Sequence, residues 1–279
     1  MSECNHDCNS CGENGCDKRS FIETPKPSTK IKKIIGVMSG KGGVGKSLVT
    51  SLLAVAANKR GLKTAVMDAD VLGPSIPKTF GLKESDRMQG SDEGLFPSVT
   101  KSGIKVASIN LLLEEETMPV VWRGPVVSGV VKQFYTDVLW EDNDVMFIDM
   151  PPGTGDVPLT VFQSIPISGA VIVTTPQDLV KMVVEKSYNM AAMMKIPVVG
   201  MIENMSYLEC PRCGEVIYPF GKGKTEEIAA KYGVDFLGSI PISEEIRARV
   251  DAGEPELLNV EFLNSALDKI LSFEGAKNK

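Results

Sequence analysis

Short runs of β-branched and aliphatic residues recur along the chain, and most are followed by a stretch in which apolar positions return every three or four residues. The runs at 34–38, 64–68, 104–109, 145–149, 170–174, 198–202 and 236–240 read as strands. Several are apolar without alternation, the pattern of strands covered on both faces of a parallel sheet. The stretches at 46–59, 125–139, 178–194, 225–231, 244–251 and 260–271 carry the helical period. This alternation predicts an α/β fold: a mostly parallel sheet, right-handed crossovers, and helices on both faces. The rhythm breaks at 83–103, where polar residues and glycines predict a surface excursion with a hairpin. Residues 1–30 are rich in Asn, Ser, Gly and Asp, then in Pro and Lys, and hold almost no apolar residues. They predict a flexible, cysteine-rich arm ahead of a domain at 31–279.

Composition narrows the classes. The 279 residues suffice for one large α/β domain with a well-buried core. Lys+Arg 30 against Asp+Glu 36 leaves a net charge of -6, and this acidic balance argues against a nucleic-acid partner. No apolar run is long enough to cross a bilayer and the N-terminus is polar, so a cytoplasmic protein without a membrane partner is expected.

The chemistry begins where the first run ends. There the chain reads Ser39-Gly40-Lys41-Gly42-Gly43-Val44-Gly45-Lys46-Ser47, with the spacing of a phosphate-binding loop between a strand and a helix. Glycines let successive N–H groups point inward at phosphate oxygens, and the following helix adds its positive end. The expected ATP contacts are Gly40, Lys41, Gly42, Gly43, Val44, Gly45, Lys46, Ser47 and Leu48. Lys46 would reach the β/γ-phosphates and the Ser47 hydroxyl would ligate Mg²⁺. The run at 64–68 ends in Asp68-Ala69-Asp70, where Asp70 could orient the attacking water and Asp68 would lie nearer the magnesium shell. The run at 145–149 ends in Asp149, an apolar strand with a terminal Asp that would hold Mg²⁺ through water. Gly153 and Gly155 suit a loop that approaches the γ-phosphate, and Asp156 reads as a helix cap.

Six cysteines form two groups: Cys4, Cys8, Cys11 and Cys16 in the arm, and Cys210 and Cys213 in a predicted hairpin at 207–220. Cys210-Pro211-Arg212-Cys213-Gly214 places two thiolates in reach of one metal. A redox pair would want the first cysteine at a helix N-terminus, which a hairpin does not offer. Zinc needs four ligands. Two copies in a symmetric dimer would supply four thiolates, enough for one zinc or one iron–sulfur cluster. The four arm cysteines, with His6 as a substitute ligand, suffice for a [4Fe–4S] or zinc site.

Four motifs together carry a resemblance: Gly40 to Ser47, Asp68-Ala-Asp-Val-Leu-Gly-Pro-Ser-Ile-Pro77, Asp149-Met-Pro-Pro-Gly-Thr-Gly-Asp156, and Asn204-Met-Ser-Tyr followed by the cysteine pair. Over residues 31–272 the chain resembles the Mrp/ApbC-type iron–sulfur cluster carrier ATPases, which are MinD/ParA-like P-loop NTPases with a deviant Walker A loop. The resemblance implies that Lys41 reaches the partner's nucleotide in a sandwich homodimer. It implies that Asn204 reads the adenine edge, with Pro241 flanking the base. It implies that Cys210 and Cys213 of two subunits hold a bridging [4Fe–4S] cluster, handed on to apo iron–sulfur client proteins at the cost of slow ATP hydrolysis. The arm resembles the extra cluster-binding arm of the family's cytosolic eukaryotic branch, but its Cys4-x₃-Cys8 gap is shorter. The alternative is an ATP-driven spatial switch of the same fold with structural zinc at the cysteine pair.

Overall fold

The structure, a computed structural model, describes residues 21–113, 124–177 and 180–274. Along the first half run β1 (Lys30–Met38), α1 (Lys46–Lys59), β2 (Thr64–Asp68), α2 (Ile76–Thr79), β3 (Gln89–Gly90), β4 (Leu95–Phe96), β5 (Ser98–Val99), β6 (Lys105–Ala107) and α3 (Gly124–Thr136). The second half adds β7 (Asp142–Asp149), α4 (Asp156–Ser164), β8 (Gly169–Thr174), α5 (Val180–Met193), β9 (Val198–Glu203), β10 (Leu208–Glu209), β11 (Val216–Ile217), α6 (Thr225–Tyr232), β12 (Asp235–Ser239), α7 (Glu244–Asp251) and α8 (Asn264–Ser272).

One sheet organises them, in the order β12-β9-β8-β1-β7-β2-β6-β5. Its neighbours pair in parallel except β5, which runs against β6. The inner strands are the uninterrupted apolar runs. β2 (TAVMD) and β8 (GAVIVT) are buried at every position, as strands sandwiched between helices must be. The crossover from β1 runs toward β2, and those from β7, β8 and β9 run the opposite way along the sheet. With a fixed right hand this puts α1 on one face and α4, α5 and α6 on the other. α1 is rich in Leu and Ala, strong helix formers, and it buries Val49, Leu52 and Leu53 completely. Truncating either leucine to alanine would cost about 2–5 kcal/mol.

Register then fixes the functional end. Val37 of β1 and Asp68 of β2 both stand opposite Asp149 of β7, so three strands finish at one level. Several elements differ from the sequence pattern, each for a local reason. The helix expected to 139 stops at Thr136, because Leu95 takes the N–H of Leu139 and gives its own N–H to the Asp137 carbonyl. The strand expected to 109 ends at Ala107 and tightens into a 3₁₀ turn at Ile109–Leu111. The helix expected from 260 begins as a 3₁₀ turn at Glu261–Leu263. Within 83–103, β3 and β4 form an antiparallel hairpin, and β5 joins the main sheet at its edge.

Candidate functional site

Parallel strands deliver their C-terminal ends to one crevice. From β1 the chain turns through Gly43 (φ 78°) and Gly45 (φ 76°) into α1. Both lie in the left-handed region, where a Cβ is strained. At Gly45 a Cβ would also fall 2.2 Å from Asn204 Nδ2, so only glycine fits the turn.

Beneath the loop lies a closed polar network. Lys46 Nζ donates to Asp149 Oδ1 at 2.6 Å, the Thr50 hydroxyl to the same oxygen at 2.8 Å, and the Ser47 hydroxyl to Oδ2 at 2.5 Å. Asp149 is 0% exposed and Lys46 6%. A buried carboxylate is tolerable only with such partners. Thr50 shares a helix face with Lys46, four residues on, and the sequence reading assigned it no part.

A cleft of about 330 Å³ opens above this network. Lys41 to Leu48 line one wall, and Asp70, Ser75 and Thr79 another. Asp68 lies deeper. Its Oδ1 accepts the Asp70 N–H at 3.2 Å, and its Oδ2 accepts the Ser108 hydroxyl at 3.0 Å. Burial first, then the nearby Asp149 charge, push the Asp68 carboxyl well above the ordinary carboxylate range. Burial also raises Asp70, against the pull of Lys46. Lys41 turns the other way, its Nζ donating to Gln177 Oε1 at 2.7 Å on the exposed surface.

Gly40, Asn204 and Pro241 do not line this cleft among the described residues. Asn204 is buried under the loop, its Nδ2 donating to the Val44 carbonyl at 2.9 Å. It braces the loop in this geometry. Pro241 follows Ile240, whose carbonyl accepts the Ser206 N–H. Asp156 does not cap: Gly155 occupies the N-cap without a side-chain bond, and the Asp156 carboxylate lies beside Gly124 at the start of α3.

The chain leaves β9 through Glu203 and Asn204 into a hairpin of two-residue strands, β10 and β11, with Cys210 and Cys213 at its turn. The Gly214 N–H donates to the Cys210 carbonyl at 2.9 Å, and Gly214 takes a φ of 73°. Both thiols are free. Backbone amides of Arg212 and Cys213, with the Cys213 thiol, hydrogen-bond to Cys210 and lower its pKa below a thiol's ordinary value. Among the described residues no group of three or more His, Cys, Asp or Glu gathers to hold a metal ion. Beside the pair Val216, Ile217, Tyr218 and Phe220 are 40–49% exposed, an apolar strip on a surface hairpin. Cys4, His6, Cys8, Cys11 and Cys16 lie outside the described residues. No helix among the described residues is long and apolar enough to cross a membrane.

Known proteins are similar to this chain. A family model described as the NUBPL iron-transfer P-loop NTPase, of the ParA group, matches residues 30–272. The iron-sulfur cluster carrier protein of Methanocaldococcus jannaschii is 47% identical over 266 residues, 92% of this chain and 91% of that one. Its counterpart in Clostridium perfringens is 44% identical over 256 residues, 89% of this chain and 90% of that one. Among solved structures, a nucleotide-binding protein from Archaeoglobus fulgidus in complex with ADP is 49% identical, with a TM-score of 0.73 over 81% of this chain and 88% of that one. The cell division ATPase MinD of Pyrococcus furiosus shares the fold at 20% identity, with a TM-score of 0.60 over 86% of this chain and 98% of that one.

Proposed function

The chain belongs to the NUBPL iron-transfer P-loop NTPase family, and from that premise we propose that it binds and slowly hydrolyses ATP with magnesium. In the same reading it carries a [4Fe–4S] cluster, held between two copies, to apo-proteins. Relatives named as iron-sulfur cluster carriers and an ADP-bound neighbour support this reading. The observation that carries it is the cysteine turn. Two free thiols sit at the tip of an exposed hairpin, one of them eased toward the thiolate by backbone amides. One chain offers two ligands there, and a cluster takes four. The apolar strip from Val216 to Phe220 gives a second copy something to bury while bringing its own pair.

In the cleft, the N–H groups from Gly42 to Ser47 would wrap the phosphates, with Lys46 leaving Asp149 for their oxygens. Ser47 and Asp149 offer adjacent hard oxygens, a donor set that suits magnesium. Bound there, the ion would offset the charge on the β- and γ-phosphates. Asp70, a carboxylate on the facing wall, would orient a water. Lys41 would exchange Gln177 for the partner's nucleotide on dimerisation. To read the adenine edge Asn204 would have to release the Val44 carbonyl, and Pro241 would flank the base. The segment 1–30 would serve as a separate metal-binding arm through Cys4, Cys8, Cys11 and Cys16, ahead of the ATPase domain at 31–279.

The test is iron, acid-labile sulfide and zinc per chain, on protein purified without oxygen, with wild type beside Cys210→Ala/Cys213→Ala. Iron and sulfide in equal amounts, falling in the double variant, is the expected result. Zinc without sulfide, even after reconstitution, would overturn the carrier reading and leave an ATP-driven switch with a structural metal.

A further inference from the structure

Glu203 is the last residue of β9 and has no part in the reading above. Its side chain is 4% exposed, between the point where the chain leaves β9 for the hairpin and the point where it returns at the start of α6. On the outgoing side the Ser206 hydroxyl donates to Oε1 at 2.6 Å. On the returning side the Thr225 hydroxyl donates to Oε2. Gly223 approaches so closely that a Cβ there would overlap the carboxylate. One carboxylate therefore ties together the two feet of the segment 207–222.

That tie matters because the hairpin's own framework is slight. Its strands are two residues long and 209–222 is largely exposed. The main-chain anchors sit at the outgoing foot: the Ser206 N–H to the Ile240 carbonyl at 3.0 Å, and the Ile242 N–H to the Tyr207 carbonyl at 2.7 Å. The next residue, Asn204, holds the phosphate loop through the Val44 carbonyl. Adjacent residues on one rigid strand end thus grip the two functional loops. Any change in the loop's backbone when phosphates engage its N–H groups would act on Asn204 through the Val44 carbonyl and on the hairpin's feet one peptide later.

We propose that Glu203 is a positioning residue that couples the cysteine pair to the phosphate loop, so that nucleotide binding changes the geometry of Cys210 and Cys213. This deepens the carrier reading and rests on its ATP site. By linkage, a nucleotide that shifts the pair must itself be bound differently when the pair is engaged.

The experiment is iodoacetamide labelling of Cys210 and Cys213 on the metal-stripped full chain, resolved by peptide mass spectrometry, with and without ATP and magnesium. In wild type the labelling rates should differ by at least about five-fold between the two conditions. In Glu203→Ala the ratio should fall toward one while ATP affinity holds, and Glu203→Gln, which keeps an acceptor, should restore part of it. A role confined to stability would lower the melting temperature and leave the ratio intact, and that result overturns the proposal. If Glu203→Ala fails to fold, Thr225→Val, which removes only the returning hydroxyl, must lower the ratio, and an unchanged ratio overturns it equally. Wild type that binds ATP without a labelling response overturns the coupling and leaves the carrier reading standing. Wild type without iron or sulfide overturns the carrier reading and leaves the response measurable.

Discussion

The phosphate cleft and the cysteine hairpin leave the same end of one sheet and are built by opposite rules. In the cleft every charged group at the floor is buried and answered from its own chain, Asp149 accepting from Lys46, Ser47 and Thr50. The hairpin stands in solvent on two-residue strands, with two thiols and an apolar strip that nothing described in the same chain covers. A pre-formed floor suits a ligand that arrives once per cycle and must find fixed charges, because preorganised dipoles cost no reorganisation at the moment of reaction. Under the proposed function, such a half-site would suit cargo that must be let go, because its other half could leave. If the comparison holds, damage to one region should be separable from damage to the other.

The largest separation is expected at Lys46. Lys46→Ala removes the cation of the phosphate site and should lower ATP turnover by about 10²–10³-fold, the usual loss when one preorganised donor is deleted. It should leave the iron and sulfide bound after reconstitution unchanged. Steady-state phosphate release beside metal analysis of the same preparation checks both halves. Full ATPase activity in this variant would mean that the cleft is not the hydrolytic site.

Two glycines of nearly equal φ sharpen the contrast. Gly45 (φ 76°) packs against Asn204, whereas Gly214 (φ 73°) has no atom within 4 Å of where a Cβ would go. Each Gly→Ala should incur the left-handed penalty of about 1–2 kcal/mol. Only Gly45→Ala adds a clash in a packed interior, bringing its expected loss to about 3 kcal/mol or more. Denaturant midpoints at constant m-value would read both. Equal losses would mean that the loop yields to the new methyl as easily as the hairpin does.

Much of this was legible in the residues because it is local. Uninterrupted apolar runs announce a sheet covered on both faces, and Gly-rich spacing between a strand and a helix announces the loop. What the pattern could not carry is which side chains meet across the sheet. Thr50 is an ordinary helix residue until parallel register brings Asp149 beside it. Gln177 gains its place from Lys41, 136 residues earlier. Asn204 carried an expected base contact, and here its amide bonds the Val44 carbonyl 160 residues away. Glu203 looks like the polar end of a strand, and its partners Ser206 and Thr225 are unremarkable alone. The end of α3 depends on a distant partner in the same way, since Leu95 claims the backbone that follows Thr136.

The smallest expected effect distinguishes the regions by sign. In the cleft, burial and the charge of Asp149 raise the Asp68 pKa well above its ordinary value, outweighing Lys46 and the Ser108 hydroxyl. The folded chain then holds this proton where the unfolded chain has released it. Stability from this group is complete below the unfolded value, about pH 4, and is lost as pH climbs through the folded value. Asp68→Asn cannot ionise, so its stability relative to wild type should grow as pH rises from about 4 toward neutrality. Denaturant midpoints across that range, without magnesium, would show it. On the hairpin the shift is reversed, because amides that favour the Cys210 thiolate lower its pKa. Its alkylation rate should therefore reach half-maximum at a lower pH than that of a free thiol, about 8.5. A difference between Asp68→Asn and wild type that stays flat with pH would mean that the cleft floor carries Asp68 charged at no cost. An unshifted Cys210 would mean that the turn does not favour a thiolate. Either result would remove one side of the contrast between a floor that resists a second carboxylate charge and a tip that favours a thiolate.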